Sequence, residues 1–153
     1  MVFTVRPAYE DDLDFIIGLS AQVFSRYGNY KEIVNSWYRE PGVITEIITE
    51  KDISLGFGML VMEEERLFRA RRGHLLAIGV LPDHQRKGIG TALLAKVQDL
   101  ARQYGGKEML LMTAVDNDAA LAFFQKAGFR IIGTEDHYYP KGQSALAMRK
   151  KLA

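Results

Sequence analysis

Leu75–Leu94, LLAIGVLPDHQRKGIGTALL, packs a strand end, a glycine loop and a helix start into one short run. The apolar segment His74–Val80 predicts a strand closed by Pro82. From Ile89 to Gln103 the spacing predicts a helix, with Leu93, Leu94, Val97, Leu100 and Ala101 on one face and Gly105-Gly106 at its end. Between them, Gly88 and Gly90 let the main chain approach an anion closely. The unpaired N–H groups and positive dipole of the new helix point toward such an anion. Arg86 and Lys87 add positive charge. Gln85–Thr91 therefore reads as a phosphate cradle, the alternative being a plain helix start with two turn glycines. A nucleotide P-loop is excluded because the Gly-Lys-Ser/Thr ending is missing. The dinucleotide fingerprint fails because Leu93 stands where its third glycine belongs.

Upstream of this run, Val43–Thr49 and Ile53–Met62 predict an antiparallel hairpin turning at Lys51-Asp52. Before it, Phe3–Arg6 predicts a short strand. A helix follows from Asp11, with Leu13, Ile16, Ile17 and Phe24 on its stripe, and Ile33–Tyr38 predicts a second helix after the break at Gly28-Asn29. Trp37 and Tyr38 read as core, the alternative being a lining for the acceptor side. Glu63–Gly73, acidic then basic, reads as an exposed connection or a contact for a charged acceptor. Downstream come a buried strand at Met109–Val115, a helix at Ala119–Ala127 and two last strands, Phe129–Gly133 and Ala145–Leu152. The order predicts a single α/β domain over residues 1–153, with a mixed sheet and helices on both faces.

The chain has 153 residues, enough for one core. Twenty basic against nineteen acidic residues leave a net charge of +1, which gives no general attraction to nucleic acid or to an anionic membrane. With no cysteine, a disulfide, a thiol nucleophile and Cys-ligated zinc are excluded, and no His pair has the i, i+4 spacing of a metal site. No secretory leader and no membrane-length apolar run is visible, so a cytoplasmic protein is expected.

Leu75–Leu94 resembles the acetyl-CoA loop of the GNAT superfamily of N-acetyltransferases. Asn117–Phe129, NDAALAFFQKAGF, resembles that family's last helix and following strand. The tail HYYPKGQSALAMRKKL is similar to that of the ribosomal-protein and N-terminal acetyltransferase branch. The resemblance implies a mostly antiparallel sheet whose two central strands splay apart, with acetyl-CoA as cosubstrate and a primary amine as acceptor. It implies that Ile78, Gly79 and Val80 offer main-chain groups to the pantetheine arm, with the Val80 N–H polarising the thioester carbonyl. Gln85, Arg86, Lys87, Gly88, Ile89, Gly90 and Thr91 would hold the pyrophosphate. Asn117 would contact the cofactor arm, or would simply cap its helix. Phe123 would pack near the cofactor.

Two positions depart from the family. Phe124 stands where a Tyr acid is common, and Met112 where the ribosomal-protein enzymes carry a Glu base. His74 matches the base position of histone-type members. Strict alternation would place it on one strand face with Leu76, Ile78 and Val80, turned toward the gap. An ordinary His pKa of about 6.5 suits a base. Tyr138 or Tyr139 would supply the missing proton or help bind a peptide. Open alternatives are a peptide N-terminus, a polyamine, an amino acid or an aminoglycoside-like acceptor, and a non-catalytic acetyl-CoA sensor. A monomer or a homodimer is expected.

Overall fold

A computed structural model describes residues 2–64, 67 and 70–152. The strands are β1 (Thr4–Pro7), β2 (Val43–Glu50), β3 (Ile53–Glu64), β4 (Arg71–Val80), β5 (Gly106–Ala114), β6 (Arg130–Glu135) and β7 (Ala145–Lys151). The helices are α1 (Leu13–Phe24), α2 (Tyr30–Arg39), α3 (Ile89–Gln103) and α4 (Asp118–Lys126). The strands form one sheet in the order β1-β2-β3-β4-β5-β7-β6. Among the described residues only the β4–β5 pair is parallel, because α3 crosses over between those strands.

Each face of the sheet has its own apolar layer. On one, Ile16, Leu19 and Val34 from α1 and α2 bury Ile47, Phe57, Met59 and Ala77. On the other, α3 and α4 cover Leu60, Leu75, Met109, Leu111 and Met148 through Leu94, Val97, Ala101 and Phe124. Removing a side chain of this size from water contributes about 1.5–3 kcal/mol.

Two expectations for the ends of elements change. The helix expected from Asp11 begins as a short helical turn over Glu10–Asp12, with Asp12 at the N-cap of α1. There its carboxylate accepts bonds from Arg6 Nη1 at 2.8 Å and from the Tyr9 N–H at 2.7 Å. The Arg6 bond holds the Asp12 carboxyl below the usual carboxylate range, and the pair ties β1 to α1. Among its described residues, the charged segment is strand at Glu63–Glu64 and Arg71–Gly73. Glu63 pairs with Arg72 and Glu64 with Arg71, so β3 and β4 run further than their apolar residues suggest. Glu65, Arg66 and Arg69 of that segment lie outside the described residues.

The splay appears in the register. β4 and β5 pair from Arg71/Gly106 only as far as Leu75/Leu111, yet β4 continues to Val80 and β5 to Ala114. Within β4 the alternation breaks. Met59 faces Ala77 but Leu60 faces Leu75, so Leu76 is an extra residue, a bulge. A one-residue slip moves every side chain beyond it to the opposite face. His74, opposite Val61, therefore shares a face with Ala77 rather than with Ile78 and Val80, which corrects the strict-alternation expectation.

Candidate active site

The gap between β4 and β5 opens into a cleft of about 400 Å³. At one end lies the glycine loop. Gly88 caps α3 with φ +82°, a left-handed conformation that costs other residues roughly 1–2 kcal/mol. Nothing lies within 4 Å of where its Cβ would be. Gln85, Arg86, Gly88, Gly90 and Thr91 line the cleft. Lys87 and Ile89 do not; Lys87 is exposed, and Ile89 is buried in a third apolar cluster with Leu93 and Val80, where it anchors the loop. Phe123 also lines the cleft, its ring 3.4 Å from the place of a Gly90 Cβ.

Along the middle of the cleft the wall is the main chain of β4. The Leu81 N–H bonds to the Leu55 carbonyl at 2.9 Å. Antiparallel alternation then makes Phe57/Gly79 the next bonded pair. The main-chain groups of Ile78 and Val80 are left turned away from β3, across the gap that β5 has vacated. The Val80 carbonyl accepts a bond from Gln85 Nε2 at 3.1 Å, which ties the loop to the strand. Met112 and Phe124 both line the cleft, and Phe124 is only 6% exposed, edge-on between Phe123 and Phe129. Asn117 caps α4, its Oδ1 accepting the Ala120 N–H at 3.1 Å, and it also lines the cleft.

The far end is a ring of aromatics. Val23, Phe24, Tyr27 and Tyr30, from α1, α2 and the turn between them, meet Tyr139 from the β6–β7 connection. The Tyr27 and Tyr139 rings stack at 4.9 Å. Lys141 N–H bonds to the Tyr27 carbonyl and Gln143 Nε2 to the Arg26 carbonyl, and Pro140 leaves no room for a side chain at Gly28. Arg26 reaches on to Asp116, which also meets the Tyr27 hydroxyl. Burial pushes the Tyr30 phenol up to about 12 and raises Tyr139 as well, helped by the neighbouring tyrosines. Tyr138 stands outside the wall, 44% exposed, and packs edge-on against Tyr139. The tail's resemblance pointed to Tyr139, whereas Phe24, Tyr27 and Tyr30 carried no signal beyond their i, i+3 spacing.

His74 is not part of the cleft wall. It lies 26% exposed on the sheet face, its Nδ1 3.4 Å from Glu63 Oε1. Among the described residues, no group of three or more His, Asp or Glu side chains is placed to hold a metal ion, and no helix is long and apolar enough to cross a membrane.

The profile described as the acetyltransferase (GNAT) family matches residues 14–129. An N-alpha-acetyltransferase of Saccharolobus solfataricus is 29% identical over 157 aligned positions, covering 98% of this chain and 93% of that protein. The structure of Ard1 from Thermoplasma volcanium superposes with a TM-score of 0.83 at 22% identity, over 100% of this chain and 99% of that one. Arabidopsis thaliana Naa50, solved with the bisubstrate analogue CoA-Ac-MVNAL, gives 0.74 at 22% identity, over 98% and 99%.

Proposed function

The chain belongs to the acetyltransferase (GNAT) family, and from that premise we propose that its acceptor is the α-amino group of a peptide or protein chain. It is an acetyltransferase whose cosubstrate is acetyl-CoA. One observation carries the choice of acceptor. No Asp or Glu lines the cleft among the described residues, and its open end is aromatic. Polyamines and aminoglycoside-like compounds are polycations, and holding one in a cleft calls for carboxylates. A peptide terminus presents a single amine followed by side chain and main chain, which suits tyrosine rings and hydroxyls. The name of the archaeal relative supports the same acceptor.

In this scheme Gln85, Arg86, Gly88, Gly90 and Thr91 hold the pyrophosphate. Lys87 adds positive field from the loop surface, and Ile89 keeps the loop in place. Ile78 and Val80 carry the pantetheine arm on main-chain groups, while Gly79 between them is bonded to Phe57 and offers the arm none; Asn117 and Phe123 flank it. The Val80 N–H donates to the thioester carbonyl oxygen as it gains negative charge; one such donor is worth about 3 kcal/mol in related acyl transfers. Alignment of the two reactants in one cleft supplies the other large contribution. Tyr139 stays protonated through the neutral range and donates a hydrogen bond to the departing sulfur, with Tyr138 steadying its ring. His74 takes no part in this scheme.

The test is release of free thiol from acetyl-CoA with a panel of amines. Peptides with a free α-amine are expected to exceed α-blocked peptides, free amino acids and polyamines by roughly tenfold or more in kcat/KM. A polyamine as the best acceptor overturns the assignment.

A further inference from the structure

We infer that this enzyme supplies no base to its acceptor, so that the reacting amine is the fraction already neutral in solution, and weakly basic amines such as peptide α-amines form its substrate class. The inference rests on the acetyltransferase reading above and adds the chemical reason for its choice of amine.

The walls of the cleft hold four ionisable side chains among the described residues: Tyr27, Tyr30, Tyr139 and Arg86. Arg86 belongs to the phosphate loop and remains a cation. The tyrosines would have to be phenolates to take a proton, and burial opposes that in all three. Met112 on β5 and Phe124 on α4 line the wall and carry no group that can take a proton. Around the rim, Asp116 is engaged by Arg26 and by the Tyr27 hydroxyl, and Tyr138 and Glu135 lie outside the wall. His74 shares the α1–α2 face with Ala77 but lies outside the cleft wall, beside Glu63 and Arg72.

The step then balances without an enzyme base. The ammonium gives one proton to solvent before it enters. The neutral nitrogen attacks the thioester carbonyl, the C–N bond forms and the C–S bond breaks. The second proton, now acidic on the new amide nitrogen, ends on the leaving sulfur. A peptide α-amine with a pKa of about 8 is neutral far more often at pH 7 than a lysine amine at about 10.4, by roughly 300-fold.

The experiment is the pH profile of kcat/KM at saturating acetyl-CoA for two peptides identical except at the first residue, glycine in one and the more basic β-alanine in the other. The expected profile rises with unit slope, breaks at each acceptor's own amine pKa and stays level above it. The break therefore moves between the two peptides by the difference in amine pKa. A break at one fixed pH for both, followed by decline above the amine pKa, reveals an enzyme base and overturns the inference. His74→Gln should leave the break where it is; a displaced or lost break would identify His74 as that base. Tyr139→Phe should lower the plateau without moving the break. If only polyamines are turned over, the N-terminal assignment fails. The same profile on polyamines of differing basicity then decides the inference separately: a break that follows the amine supports it, and a fixed one overturns it.

Discussion

At the β4–α3 end, the cleft wall is main chain: the turned-out groups of Ile78 and Val80, the left-handed Gly88 and the start of a helix. At the Tyr139 end, the wall is ring faces and hydroxyls, brought together from the α1–α2 turn and the β6–β7 connection, segments more than a hundred positions apart. In the proposed scheme the main-chain wall meets what every acetyl-CoA molecule shares, its phosphates and amides. A side-chain wall changes with each substitution, and so can choose among acceptors without altering the cosubstrate site.

Four substitutions strain this contrast. Phe57→Ala empties a fully buried position on the α1–α2 face beneath Gly79. It should cost about 3–5 kcal/mol in denaturant unfolding. Because Phe57 supports both ends, acetyl-CoA binding and acceptor use should weaken together; loss of one alone would mean that the halves are supported separately.

Asp12→Asn removes the ion pair tying β1 to α1, at about 1.5–3 kcal/mol. The Asp12 carboxyl is held below its unfolded value, so its contribution is complete above the ordinary Asp pKa near 4 and fades as pH falls through the lower folded value. Wild-type unfolding curves between pH 2 and about 5 should show this loss, and the variant should lack that part of the slope. The α1 side, and with it the acceptor end, should loosen first in acid, as hydrogen exchange of α1 amides would reveal.

Gly88→Val adds left-handed strain and a branched side chain on the wall of the phosphate cradle. Acetyl-CoA should bind roughly tenfold or more weakly by calorimetry, with little change in acceptor KM at saturating acetyl-CoA. The mildest change, Gly28→Ala, pushes against Pro140 and should raise acceptor KM by roughly threefold while leaving acetyl-CoA affinity alone. A crossed result in either glycine variant would dissolve the division of labour.

The same contrast explains what could be read from the residues in advance. The cradle is local: strand, glycine loop and helix lie within Leu75–Leu94, so periodicity and two glycines outline it without tertiary information. Even there, sequence did not separate Ile89, which turns into the core, from its neighbours that line the cleft. The element order and the mixed sheet followed from apolar spacing for a similar reason. At the acceptor end the resemblance of the tail marked Tyr139, but Tyr27 and Tyr30 were illegible because they become wall only once Tyr139 and Pro140 close on them. His74 was misplaced for a subtler cause. Alternation assumes a regular strand, and the extra residue at Leu76 reverses the face of everything before it, while the letters LLAI give no sign of a bulge. Charged strand ends were equally opaque, since Glu63–Arg72 pairing depends on β3 and β4 already lying side by side.

The most direct test offers one peptide carrying both a free α-amine and an internal lysine, with acetyl-CoA, at neutral pH. Fragment-ion mass spectrometry then reads where the acetyl group lands. The account predicts acetylation confined to the α-amine; acetylation of the lysine side chain at a comparable rate would contradict it.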